Sequence, residues 1–90
     1  METYKVNEIN NVLSRVKVTL LKGEIITKSD MILLTTNLAE YIRLLRKKFD
    51  IACLMVKGQN GRKFGLYYAS KSVSETKLKS YLRNKKLELL

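Results

Sequence analysis

The sequence predicts a small α+β domain in which helices precede a β-hairpin and one more helix follows it. Three observations predict this class. Apolar residues recur at helical spacing in the first half, two apolar runs flank an Asn-Gly pair in the second, and the C-terminal residues are basic and amphipathic. A chain of 90 residues has room for a single core, because proteins of this size bury only about three-fifths of their unfolded surface.

The first predicted helix covers residues 5–22. Its apolar positions alternate in steps of three and four, which places them on one face, and they are Val6, Ile9, Leu13, Val16 and Leu20. Gly23 follows directly and suits a left-handed helix cap. Residues 23–26 then form a short link with room for one β-bridge.

Two shorter helices are predicted next. Thr27, Ser29 and Asp30 are good N-caps for a second helix that ends near residue 34. Asn37, with Glu40 three residues later, resembles the capping box that begins a helix, here the third. The apolar face of this third helix carries Leu38, Ile42, Leu45 and Phe49.

The hydrophobic period then changes from helix to strand. Residues 51–56 and 64–69 are apolar runs, and Asn60-Gly61 between them is the strongest short hairpin signal. The same loop contains the G-x-x-G pattern of RNA-binding KH domains, but there a helix must follow, and residues 64–69 favour a strand. Ser72 with Glu75 predicts the cap of a last helix that runs to the C-terminus.

This order of elements is that of a winged helix-turn-helix domain: three helices plus a β-hairpin wing, with an extra C-terminal helix. We expect residues 1–70 to form the winged helix-turn-helix domain. Residues 71–90 are expected to form a basic amphipathic helix that either packs on the first helix or makes a dimer.

Residues 25–68 also resemble the small winged helix-turn-helix domains of bacteriophage and prophage genomes. An I-T-[ST]-like entry precedes the second helix, and the T-x-L-A-x-x-I-x-x-L-R-K pattern of the third helix is met from Thr36 to Lys47. The wing pattern G-x-N-G-[KR] is met by residues 58–62. The chain lacks the usual glycine after the third helix, where Phe49-Asp50 joins the strand directly. The resemblance implies a small DNA-binding regulator of transcription in the host cytoplasm.

The outward face of the third helix contains residue types that contact DNA. Asn pairs with adenine, Arg with guanine, a Leu side chain meets the thymine methyl group, and Lys contacts phosphates. Alternatively, this face is simply the solvent-exposed side of an ordinary helix. Glu40 and Leu44, which are unusual in a DNA-binding face, would also fit a contact with another protein. The predicted DNA-binding residues here are Thr36, Asn37, Glu40, Tyr41, Arg43, Leu44, Lys47 and Lys48.

The predicted wing carries three basic residues, Lys57, Arg62 and Lys63. Arg or Lys side chains at such a tip follow the DNA backbone or enter a narrow minor groove, although a polar turn kept soluble by charge is the simpler interpretation. The candidate DNA-binding residues of the wing are Lys57, Gln59, Asn60, Arg62 and Lys63.

Charge is distributed unevenly along the chain. The formal net charge is +10, from 18 basic and 8 acidic residues, and residues 57–90 hold nine of the basic and two of the acidic ones. This excess predicts an anionic partner and binding to double-stranded DNA that weakens steeply with salt.

Catalysis, metals and cofactors are not expected. Histidine is absent, the carboxylates are dispersed, and Cys53 is the only cysteine, so the usual nucleophile arrangements and metal-ligand spacings are missing. Cys53 lies within an apolar strand and is expected to be a buried thiol in a cytoplasmic, reducing environment. We expect no membrane segment, since the apolar runs are far shorter than about 20 residues.

Two further partners remain open at this point. A homodimer would use the apolar stripe of the last helix, which consists of Leu78, Tyr81, Leu82 and Leu89. Alternatively, the winged helix is a protein-interaction module that docks on a host polymerase or replication factor, because a fold alone does not guarantee DNA binding.

Overall fold

The computed structural model describes the backbone of residues 2–90 and the side chains of residues 11–90. Over this range the chain is a small α+β domain with three helices and a three-stranded antiparallel sheet, so the predicted class is confirmed. The elements, in chain order, are α1 (Glu2–Leu21), α2 (Leu38–Leu45), β1 (Ile51–Lys57), β2 (Lys63–Ala69), α3 (Glu75–Asn84) and β3 (Glu88–Leu89).

Helix α1 forms as predicted. Val16 and Leu20 on its apolar stripe are fully buried, and Leu13 packs beside them. The predictions for Val6 and Ile9 lie outside the described side chains. The helix ends at Gly23, whose φ of +91° is the predicted left-handed conformation.

The predicted second helix is wrong. Thr27 and Asp30 do form a reciprocal cap: the Thr27 N–H donates to Asp30 Oδ2 at 2.9 Å, and the Asp30 N–H donates to Thr27 Oγ1 at 3.2 Å. Residues 28–34 that follow are consecutive turns rather than a helix. Ile32 and Leu33 remain exposed, so the segment buries too little of its apolar surface to stabilise so short a helix.

The β1–β2 hairpin forms as predicted and gives the sheet its two faces. The strands pair from Ile51 with Ala69 to Lys57 with Lys63. Because side chains alternate along a strand, the odd-numbered residues of both strands share one face and the even-numbered residues share the other. Helices α1 and α2 pack on the first, here called the α1/α2 face, and α3 packs on the second, the α3 face.

Each face of the hairpin belongs to its own hydrophobic cluster. On the α1/α2 face, the buried cluster consists of Val16, Leu20, Ile26, Leu38, Ile42, Leu45, Ile51 and Ala69, with Tyr67 packed against it. On the α3 face it consists of Ile25, Val56, Leu66 and Val73, with Tyr68, Leu78, Tyr81, Leu82 and Leu87 among the residues packed against it.

The C-terminal region differs from its prediction in three respects. The helix cap is Ser74, whose Oγ accepts the Lys77 N–H at 3.1 Å, rather than Ser72. Helix α3 packs on the hairpin in the cluster on the α3 face, which includes no described side chain of α1, and it ends at Asn84, before Lys86 with its left-handed φ of 55°. The chain then returns as β3, which pairs with Val56 and Lys57 of β1. Leu89 therefore lies on this strand and not on a helical stripe.

Within residues 2–90, no helix is both long enough and apolar enough to cross a membrane.

Gly23 and Gly61 provide a matched test of the close contact at the end of α1. Both have positive φ, but a Cβ at Gly23 would lie 2.7 Å from the Ser72 carbonyl oxygen, whereas one at Gly61 meets nothing within 4 Å. We expect Gly61→Ala to lower the free energy of unfolding by about 1–2 kcal/mol, the cost of a left-handed alanine. Gly23→Ala should cost more, because backbone atoms must also move. Urea denaturation followed by circular dichroism measures both, and equal losses would show that the Ser72 contact is unimportant.

Candidate nucleic-acid interface

Helix α2 is held by three buried side chains on one face, Leu38, Ile42 and Leu45. The predicted capping box at its start is wrong, because the Asn37 side chain makes no capping hydrogen bond and Glu40 bonds elsewhere. The helix is also shorter than predicted. It ends at Leu45, and Lys47 and Lys48 lie in the turns that follow it.

The outward side of α2 is dominated by an ion pair. The Arg43 guanidinium donates two hydrogen bonds to the Glu40 carboxylate, one of them from Nε to Oε2 at 3.2 Å. This contact lowers the pKa of Glu40 and raises that of Arg43. The carboxylate that would repel a DNA phosphate is therefore partly neutralised within the helix. Of the other predicted residues, Thr36, Asn37, Lys47 and Lys48 are exposed, while Tyr41 and Leu44 are half-buried.

Arg46 links α2 to the sheet. Its Nε donates to the carbonyl oxygen of Ile51 at 3.1 Å, where β1 begins. This contact fixes the turn that carries Lys47 and Lys48 beside one end of the hairpin. Arg46 is not among the site residues predicted from the sequence.

The hairpin loop, residues 58–62, is closed by its own hydrogen bonds. The Gly58 N–H donates to the Arg62 carbonyl oxygen at 2.9 Å, and the Arg62 N–H donates to Asn60 Oδ1 at 3.0 Å. Gly61 takes a positive φ of 80° that the turn requires. The Asn60 oxygen is thus used within the loop. The side chains of Gln59, Asn60, Arg62 and Lys63 are exposed, and Lys57 is half-buried.

Helix α2 and the base of this loop lie on the same face of the sheet. Lys57 and Lys63 are odd-numbered partners in the hairpin, so their side chains project from the α1/α2 face. A strand of seven residues separates them from Ile51, which corresponds to about 20 Å. Lys57 and Lys63 form one basic group on this side of the molecule, and Lys47 and Lys48, in the turn after α2, form the other. Between these two basic groups the face carries Cys53 and Met55, both exposed, and Gly65.

Cys53 is therefore not buried, and that prediction is wrong. Strand β1 is apolar on both faces, but α1 and α2 cover only the part of their face near Ile51 and Ala69. The Cys53 thiol lies beside the Tyr67 ring, and partial burial together with this thiol raises the pKa of Tyr67.

The structure adds cations to the loop that sequence reasoning did not assign to the site. Arg83 and Lys86 line a cleft of about 550 Å³ together with Lys57 and Gln59 of the hairpin. Glu88 lies there too, as the cross-strand neighbour of Lys57. The only sequence signal for this grouping was the charge excess of residues 57–90.

A second concave surface runs along the outer edge of β2 and is called the edge groove. It has a volume of about 780 Å³ and carries four cations but no carboxylate among its lining residues. Its lining residues are Thr27, Lys28, Ser29, Ile32, Asn60, Arg62, Lys63, Phe64, Gly65, Tyr67, Tyr81, Lys85 and Leu87.

The residues predicted to form a dimer interface are mostly used within the chain. Leu78, Tyr81 and Leu82 pack in the cluster on the α3 face, and Leu89 is exposed on β3. Among the described residues, no three Cys, Asp or Glu side chains come together as a metal site requires.

Comparison with known proteins adds no relative to this description. No protein-family model, curated protein or solved structure matches the chain significantly.

The exposed thiol of Cys53 is directly testable. We expect Cys53 in the folded protein to react to completion with DTNB, because its strand lies open on the α1/α2 face. Release of the coloured thiolate measures the reaction, and one equivalent per chain is expected because there is no second cysteine. A reaction that begins only when urea unfolds the protein would show that Cys53 is covered.

Proposed function

We propose that this chain binds double-stranded DNA in the manner of a winged helix. Helix α2 and the turn after it lie at the major groove, and the hairpin loop lies on the neighbouring backbone. The observation that carries the proposal is the shared α1/α2 face, with α2 at one end of the hairpin and Lys57 and Lys63 at the other. The length of β1 from Ile51 to Lys57, about 20 Å, corresponds to about six base pairs.

Phosphate contacts supply most of the affinity in this arrangement. We assign them to five cations, Lys47 and Lys48 after α2 and Lys57, Arg62 and Lys63 at the hairpin. If each neutralises one phosphate, the slope of log K against log salt concentration is about −4 to −5. Arg83 and Lys86 border the same loop from the side of the α3 face and are not counted among these contacts.

We assign the contacts with DNA bases to the residues at the start of α2. Thr36 and Asn37 are exposed there, and the Asn37 amide, which caps nothing, can pair with an adenine edge. Glu40 orients the Arg43 guanidinium by accepting its hydrogen bonds. The guanidinium can then face a guanine, while the Glu40 carboxylate already has its hydrogen-bond donor. Tyr41 and Leu44 supply apolar contact from the flanks.

The proposed winged helix is a reduced one. Turns at residues 28–34 replace its second helix, and the Thr27–Asp30 cap holds their start. Met31 and Leu34 still pack against the cluster on the α1/α2 face, so the segment supports α2 without being helical. The phage-like motifs of residues 25–68 favour a role in transcription regulation.

The direct test is fluorescence anisotropy with a labelled duplex of random sequence over a series of salt concentrations. We expect the slope given above, and we expect Lys47→Glu and Arg62→Glu each to weaken binding and to reduce the slope by about 1 or more. DNA should also slow the reaction of Cys53 with DTNB, because the thiol lies between the two basic groups.

Lys22→Glu is the matched control, since it changes the net charge equally from an exposed site at the end of α1, outside the proposed interface. It should leave the affinity close to that of the wild type. Absence of binding at low salt, or equal losses in all three variants, would refute this interface.

Docking on a host protein is a second candidate function, and one surface favours it. Leu33 is fully exposed and Ile32 half exposed, and both border a cleft of about 400 Å³ with Tyr41 of α2. Exposed apolar groups in contact with one another are typical of protein interfaces. Under this function Leu33→Ser, which removes the apolar side chain without adding a charge beside Thr36 and Tyr41, abolishes capture of the partner. Under the DNA proposal the same variant leaves the anisotropy titration close to that of the wild type.

A further inference from the structure

The edge groove begins where a backbone pairing stops. The N–H of Ile26 donates to the Tyr67 carbonyl oxygen at 2.9 Å, and the N–H of Tyr67 donates to the Ile26 carbonyl oxygen at 2.8 Å. After Thr27 the chain turns away, so the pairing ends after a single residue. The next positions along the edge of β2, Gly65 and Lys63, line the groove instead.

The backbone groups of Gly65 and Lys63 point into this groove. In an antiparallel ladder, every second residue turns its N–H and carbonyl groups to the same side. Tyr67 directs both groups away from β1 and towards Ile26, so Gly65 and Lys63 do the same. They present two donors and two acceptors in the spacing that an added strand would meet.

The walls of the groove indicate which kind of strand fits. Lys28, Arg62, Lys63 and Lys85 surround it. One carboxylate lies close by, that of Asp30, which accepts the Thr27 N–H. Burial and, to a lesser extent, this carboxylate raise the pKa of Tyr81, but the four cations outnumber the one carboxylate. On the side of the α3 face the groove is bordered by Phe64, Tyr81 and Leu87. The chemistry is therefore cationic around an open backbone edge, with an apolar wall on one side.

We infer that the edge groove binds an acidic peptide segment, which adds to β2 as an extended antiparallel strand. Peptides are commonly recognised in this way at open sheet edges. Residues of the added strand that bond to Lys63 and Gly65 project from the α1/α2 face beside the Lys63 side chain, as Ile26 does beside Tyr67. The residues between them project towards Phe64 and Tyr81. The favoured ligand therefore alternates acidic and apolar residues.

The backbone edge distinguishes this ligand from a single strand of nucleic acid. Phosphates and bases would use the cations and the aromatic rings, but they have no repeating pair of N–H and carbonyl groups to match those of Lys63 and Gly65. The inference does not depend on the proposed DNA binding, because it rests on the open backbone edge of Gly65 and Lys63 and on Lys28 and Lys85, although Arg62 and Lys63 belong to both surfaces.

The experiment uses the full ¹⁵N-labelled chain and an octapeptide of four Glu-Val repeats with blocked ends. We expect titration to shift the amide signals of Lys63 and Gly65, and to slow hydrogen exchange at both. Two N-methylated isomers of the peptide are the matched controls. Methylation of the glutamates removes the N–H groups that pair with β2 and should weaken binding about tenfold, the loss of two hydrogen bonds. Methylation of the valines, whose N–H groups point away, should change it little.

Protein variants test the charge requirement. Lys28→Glu and Lys85→Glu should each weaken binding of the unmethylated peptide, while Lys22→Glu, outside the groove, should not. Equal binding of the two methylated isomers would refute strand addition. Tighter binding of the oligonucleotide dT8 than of the peptide, with shifts at the same amides, would assign the groove to nucleic acid instead. The peptide titration contains no duplex DNA. A negative result in the anisotropy experiment would therefore not change how the titration is interpreted.

Discussion

The β1–β2 hairpin is the constraint on which the rest of the molecule depends, because it is the element that both hydrophobic clusters share. Ile51 and Val56 lie five residues apart on one strand, hence on opposite faces, and both are buried. One is covered by α1 and α2, the other by α3 and the segment before it. Since consecutive strand residues must face opposite sides, a slip of the hairpin by one residue would expose both clusters together.

The two faces are covered unequally, and this leaves the surfaces that matter for binding. On the α3 face, packed residues extend from Tyr68 to Phe64 near the loop. On the α1/α2 face, cover reaches Ile51, Ala69 and Tyr67 and then stops, so the end near the loop stays open. An open face between two groups of cations suits a long polyanion, whereas the shorter edge groove suits an extended segment. The same hairpin creates both surfaces, because a strand presents its side chains and its backbone edge in perpendicular directions.

Local signals in the sequence predicted the elements that local interactions stabilise. The part of the α1 stripe from Leu13 to Leu20, the Gly23 cap and the Asn60-Gly61 turn each need only a few neighbouring residues, and the structure confirms all three. Residues 28–34 have a helix cap, but tertiary packing covers only Met31 and Leu34 of their apolar run and leaves Ile32 and Leu33 exposed, so the cap alone misled the prediction. Helix α3 ends in a local turn at Lys86, whose positive φ no residue type in the sequence indicated, and the pairing of β3 depends on β1, which is distant in sequence. The basic loop was predictable from composition, but the edge groove was not, because the Ile26–Tyr67 pairing joins residues 41 positions apart.

Lys63 connects the two proposed binding modes. Its side chain belongs to the α1/α2 face, beside that of Lys57, while its backbone N–H and carbonyl groups face the edge groove. An acidic strand paired with β2 would place a carboxylate next to the Lys63 ammonium, since directly opposed residues of an antiparallel pair lie about 5 Å apart. The peptide carboxylate would then neutralise the Lys63 ammonium. Lys63 would no longer neutralise a DNA phosphate, and the counterion that this contact releases from DNA would stay bound. If both proposals hold, occupation of the edge groove opposes DNA binding through charge alone, without any change in the fold.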